Sequence, residues 1–179
     1  MSINDGAFAT NDPHVTLSLV WPRLMESALV SNDGGFGDAG STHLFQVEPQ
    51  VDWVLPSSGA DRLPKTVYVR FRVNGETVPG SYTDDIVLDE GAPAVTYALA
   101  AHRILRVKGK DDNTGIRALV VKRPGAKRPF MTVPLASSRR QAKRRVSVAV
   151  KLPRGLRRAY ARVVDVAGNR SRLRRITFR

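Results

Sequence analysis

Hydrophobic residues along this chain recur mostly at every second position. Val15, Leu17 and Leu19 share one face, with Thr16 and Ser18 on the other. Val67, Val69, Phe71 and Val73 alternate with Tyr68, Arg70 and Arg72. Val146, Val148, Val150 and Leu152 alternate with Ser147, Ala149 and Lys151, and Tyr160, Arg162 and Val164 oppose Ala161 and Val163. Successive side chains on a strand point to opposite faces, so this period predicts half-buried antiparallel strands.

Turn residues fall between the runs: Asn32-Asp33-Gly34-Gly35, Asn74-Gly75, Asn113-Thr114-Gly115, Pro124-Gly125 and Ala167-Gly168-Asn169. Asn and Gly accept the positive φ angles of tight turns at little steric cost. Ser137 to Arg144 is the one helix-like stretch. Its surroundings lack apolar residues at three- and four-residue spacing, which predicts a loop or a single turn. Strands are expected at 2–4, 14–20, 25–31, 43–48, 51–55, 65–73 and 82–89. A second set is expected at 94–100, 103–109, 116–122, 129–135, 145–152, 159–165 and 172–178. Two such sets predict an all-β protein of two antiparallel Ig-like β-sandwiches in tandem. The expected modules are residues 1–92 and 93–179, joined through Gly91-Ala92-Pro93, a short and fairly stiff linker.

Charge sharpens that division. Residues 1–93 hold 5 Lys+Arg and 13 Asp+Glu, whereas residues 94–179 hold 24 and 3. An acidic module is therefore followed by a strongly basic one. The 179-residue chain has no cysteine, which removes disulfides, thiolate chemistry and Cys-ligated zinc. It has no apolar run long enough to span a membrane. Met1 to Thr10 lacks the basic and apolar regions of a signal peptide; the chain reads as a piece of a longer exported protein, with a cytoplasmic protein as the plain alternative.

With the strands placed, the first half resembles a bacterial Ig-like/fibronectin-III-like module of surface proteins and secreted carbohydrate-active enzymes. The matching pieces, in order, are Ile3-Asn4-Asp5-Gly6-Ala7 with Thr10-Asn11, Val15 to Leu19, Val30 to Gly34, Trp53 with Leu55, Lys65 to Arg72, and Asp85 to Asp89 through Ala92-Pro93. The second half resembles the Ig-like repeats that follow such modules, on Asp111, Asn113, Gly115 and Ile116 and on Arg162 to Ser171. After Phe71 the family often carries Asp-x-x-Gly-Asn, where this chain has Val73-Asn74-Gly75. The resemblance implies a spacer, adhesive or glycan-associated role without catalysis.

The candidate chemistry is sparse. Gly35 to Gly40 matches G-x-G-x-x-G, but Pro49 and the absence of helical periodicity after it predict a strand-connecting loop rather than a dinucleotide site. Asp111-Asp112-Asn113-Thr114-Gly115 begins like a calcium loop, yet Lys122 stands where the twelfth-position carboxylate belongs. Two readings stay open there: Asx-turn capping, or a weak cation site shared with Asp165 if both loops lie at one end of the sandwich. His14, His43 and His102 are scattered, and no nucleophile elbow occurs. No catalytic residue, cofactor ligand or metal ligand is assigned on this basis. Trp53 reads as core, and Trp21 as cover for a strand end with a sugar platform as its alternative. Asn169-Arg170-Ser171 is a glycosylation sequon whose Asn also suits the turn.

The basic half carries the strongest signal. Arg139, Arg140, Lys143, Arg144 and Arg145 form one group, Arg154, Arg157 and Arg158 a second, and Arg172, Arg174 and Arg175 a third near the end, beside Arg170 and Arg179. Such density attracts anionic polymers, cell-wall polymer or acidic glycan ahead of nucleic acid, because few aromatics are interleaved. A solvated arginine-rich surface is the plain alternative. The expectation is thus a non-catalytic extracellular or cell-surface module, partnered by neighbouring domains of a larger chain. Anionic-polymer binding and head-to-tail electrostatic self-association are its alternatives.

Overall fold

The structure, a computed structural model, describes residues 1–57, 64–136 and 141–179. It is all-β, as the alternating pattern requires. The chain divides into two compact units, Met1–Leu88 and Asp89–Arg179. The division falls ahead of the expected Gly91-Ala92-Pro93 linker. Asp89, the first residue of the second unit, is hydrogen-bonded within it by Thr114 and Asn169.

In the first unit, β1 (Ser2–Ile3), β3 (His14–Ser18) and β6 (Gln50–Val54) form one sheet in the order β1-β3-β6. β2 (Ala9–Thr10), β9 (Tyr82–Leu88), β7 (Lys65–Val73), β4 (Ser27–Ser31) and β5 (Thr42–Gln46) form the other in that order, with β8 (Glu76–Thr77) hooked onto β7. Inward residues of both sheets meet in one core that includes Ile3, Leu17, Trp53, Val69, Phe71 and Ile86. The short β2 and β8 were not evident from sequence, because two residues cannot show a period.

In the second unit, β10 (Ala94–Ala101), β11 (Ile104–Lys110), β14 (Arg145–Lys151) and β17 (Thr177–Phe178) form a sheet in the order β14-β11-β10-β17. β12 (Ile116–Lys122), β13 (Met131–Pro134), β15 (Tyr160–Asp165) and β16 (Arg174–Arg175) form the order β13-β12-β15-β16. Leu105 and Val107 from the first sheet meet Leu119, Val121 and Val163 from the second in the core. Gly109 marks the tightest approach. A Cβ there would lie 2.9 Å from Ile116 Cδ1 and 3.2 Å from Val146 Cγ2 and Val163 Cγ1, so β11 lies against the opposite sheet only because this side chain is missing.

Candidate metal centre

Three loops of the second unit carry aspartates at the ends of strands. Asp89 precedes β10, Asp111 follows β11, and Asp165 closes β15. Each first serves its own loop. Asp111 Oδ2 accepts the N–H groups of Gly115 at 2.6 Å and Asn113 at 3.2 Å. Asp165 Oδ1 accepts those of Gly168 at 2.7 Å and Asn169 at 2.8 Å. Asp89 Oδ1 accepts from Gly91, and its Oδ2 takes both the N–H and the hydroxyl of Thr114. The bonds from Gly91, Asn113, Gly115, Gly168 and Asn169 are the local Asx-type bonds that turn residues predict, whereas those from Thr114 tie Asp89 to the Asp111 loop. Gly115 is required: its φ is +87°, and a Cβ would press on Ala142 at 3.1 Å.

The loops also bring the carboxylates together. One oxygen from each of Asp89, Asp111 and Asp165 lies within 4.8 Å of the others. All three residues are buried, at 1%, 4% and 0% exposure. Asp165 Oδ2 is buried without any hydrogen-bond partner. No basic side chain among the described residues bridges to the trio, in a half-chain that holds 24 Lys+Arg. Burial pushes Asp165 up to about 6, against the pull of its bonds from Asn169 and Gly168 and with a contribution from the charge of Asp89. Burial likewise raises Asp111, opposed by Gly115 and reinforced by the charges of Asp89 and Asp112. Three clustered carboxylates out of water repel one another unless a cation or protons compensate. Hard oxygen donors of this kind suit Ca²⁺.

The structure therefore unites Asp111 and Asp165, the pair suspected from the sequence. It adds Asp89, which the strand pattern had placed as the last residue of β9. The available signal was an acid next to Gly91 immediately after an apolar strand. Asn169 serves this corner rather than standing free, since its Nδ2 donates to the Asp89 carbonyl at 2.6 Å.

The basic residues do not form one site. Arg139 and Arg140 lie outside the described residues. The backbone carbonyls of Lys143 and Arg144 receive Ile116 N–H and Asp111 N–H, and Arg144 Nε donates to Asn113 O, so this segment braces the Asp111 loop. Arg145 opens β14. Arg154, Arg157 and Arg158 are exposed in the β14–β15 connection. Arg172, Arg174 and Arg175 lie at and before β16, with Arg174 Nη1 donating to Val95 O.

In the first unit, Trp53 is core, 5% exposed, and its Nε1 donates to Asn32 Oδ1 at 2.8 Å. His43 and Phe45 meet it edge-on beside a cleft of about 510 Å³. Trp21 is half-buried against the same core. Gly35 to Gly40 is a loop held by Asp33 and Asp38, not a helix start.

These strands and cores define the class, two tandem Ig-like β-sandwiches built mainly of antiparallel pairs, with β2–β9 and β10–β17 parallel. No family model matches the chain, and no curated protein matches it either. Among solved structures, it is similar to fibronectin(III)-like modules of Clostridium thermocellum CbhA at 10% identity and a TM-score of 0.49, covering 99% of this chain and 92% of that one. It is also similar to the human OSCAR ligand-binding domain at 12% identity and a TM-score of 0.42, covering 97% and 95%. A third similarity is to the BSP domain of a biofilm associated protein, at 16% identity and a TM-score of 0.33, covering 99% of this chain and 28% of that one.

Proposed function

We propose that the chain is a pair of non-catalytic structural or adhesion-type modules of a larger surface or secreted protein, and that the second module is locked by a divalent cation, Ca²⁺ by its donor chemistry, held by Asp89, Asp111 and Asp165. The observation that carries this reading is the buried carboxylate trio with Asp165 Oδ2 left unpaired. A catalytic ion needs an open coordination position reached by substrate. Here every ligand residue is buried, and each sits on a different loop. An ion there would cross-link three chain segments, a structural task. The surrounding polar groups point the same way, because Thr114, Asn169 and the loop N–H groups spend their hydrogen bonds on holding the ligands.

Calorimetric titration with Ca²⁺ after exhaustive chelation tests this, with thermal melts alongside. Binding is expected, together with a rise in Tm of the second unit that EDTA reverses. Asp165→Asn is expected to abolish the Ca²⁺-dependent shift while still folding, since it keeps the Oδ1 that caps Gly168 and Asn169. Absence of both heat and Tm shift at millimolar Ca²⁺ would remove the proposal.

A further inference from the structure

The basic residues that alternate along β11 and β14 have no part in the carboxylate corner. On β11, Arg106, Lys108 and Lys110 are exposed and alternate with buried Leu105, Val107 and Gly109. On β14, Arg145, Ser147, Ala149 and Lys151 are exposed and alternate with half-buried valines. The register sets Lys110 opposite Arg145, Lys108 opposite Ser147 and Arg106 opposite Ala149. Opposed side chains on one face stand about 5 Å apart, and steps along a strand are about 7 Å. Lys108, Lys110, Arg145 and Ser147 thus form four corners around the Gly109–Val146 pair, and they border a depression of about 400 Å³ with Thr96 at its side.

This face carries one sign of charge. The strands β10, β11 and β14 contain no Asp or Glu. Lys110 Nζ pairs with Asp112 at 2.9 Å, with Asp112 projecting from the loop beyond the strand. From β10, Tyr97 stands opposite Lys108, whose Nζ lies 6.0 Å from the ring centroid.

We infer that the outer face of the β14-β11-β10 sheet docks an acidic polysaccharide, a chain of carboxylate-bearing sugars, with one acidic sugar seated among Lys108, Lys110 and Arg145. Charge complementarity selects a polyanion. The depression and its hydroxyl select the sugar: Ser147 offers a hydroxyl at one corner, the Gly109–Val146 pair lies between the corners with the Val146 side chain turned to the core, and the cations meet the carboxylate. Single-stranded nucleic acid needs a row of exposed aromatics for base stacking. Tyr97 is the single aromatic in these three strands, and a cation already accompanies it. The face lies on different residues from the aspartate trio and needs no bound ion.

The test measures affinity of the full chain for oligogalacturonate in EDTA, with an oligothymidylate of similar charge and inorganic polyphosphate as comparison arms. Lys108→Gln with Arg145→Gln is compared with Arg157→Gln with Arg158→Gln, which removes the same charge from the β14–β15 connection. Thermal melts verify that both variants fold. The expected result is tighter binding of oligogalacturonate than of the comparison polymers, a loss of about tenfold or more in the strand pair, and less than a threefold loss in the connection pair. Equal losses in the two pairs would assign binding to diffuse charge and overturn the inference. So would tighter binding of oligothymidylate or polyphosphate, or no binding at low salt. Working in EDTA separates this outcome from that of the Ca²⁺ proposal, which can fail or succeed independently.

Discussion

The side chain of Asp165 concentrates the physics of the second unit. Its carboxyl is fully buried, and one oxygen has no partner. A carboxyl whose folded pKa is raised from 3.8 to about 6 binds its proton more tightly in the native state. Stability in cation-free buffer is then greatest below about pH 4 from this group, and it is lost as pH rises through about 6. Thermal melts in EDTA between pH 4 and 7 are expected to show this slope, and Asp165→Asn to flatten it. Gly109 illustrates packing rather than charge. Gly109→Ala places a methyl 2.9 Å from Ile116 Cδ1, and overpacking of this kind costs about 1–3 kcal/mol. A denaturant titration with unchanged m-value would report it. Asp111 was visible in the sequence as a turn acid with cation potential. Its partnership with Asp89 was not, because residues far apart in the chain meet only after two β-sheets have closed on one core.

Strands were legible where burial was one-sided. β3, β7, β11 and β14 alternate cleanly, and the sequence bounds for them fall close to those observed. For the β10–β11 hairpin the expected strands, 94–100 and 103–109, lie within a residue of those observed, but the turn carries no local signature. Its turn residues, His102 and Arg103, both take positive φ, at 47° and 66°, without the Asn-Gly signature that marks Asn74-Gly75. Arg103 is held there by donating to the Leu152 carbonyl from Nε and Nη2, a tertiary contact that local propensity cannot announce. His102 takes the left-handed backbone at φ 47°, a conformation that suits Asn better than His. His102→Asn is expected to stabilise the second unit by several tenths of a kcal/mol, since Asn tolerates left-handed backbone better. A rise in its unfolding midpoint is the readout.

Across the molecule, the acidic and basic halves of the sequence correspond to units that each close their own core. Differential scanning calorimetry is expected to resolve two transitions, with Ca²⁺ moving only the one assigned to residues 89–179. Moderate added NaCl is expected to raise that same transition, by screening repulsion among 24 basic residues that share the unit with few acids. No helix among the described residues is long and apolar enough to cross a membrane.

The place of Asp89 in the covalent chain has a mechanical consequence. The backbone leaves the first unit at Leu88, and the very next residue is clamped by Thr114 and Asn169 inside the second. Tension applied by stretching the polypeptide from its two ends would enter the second sandwich at that clamp before reaching any strand. An ion shared with Asp111 and Asp165 would make the entry point a rivet, so optical-tweezer unfolding of this unit should demand greater force in calcium than in chelator.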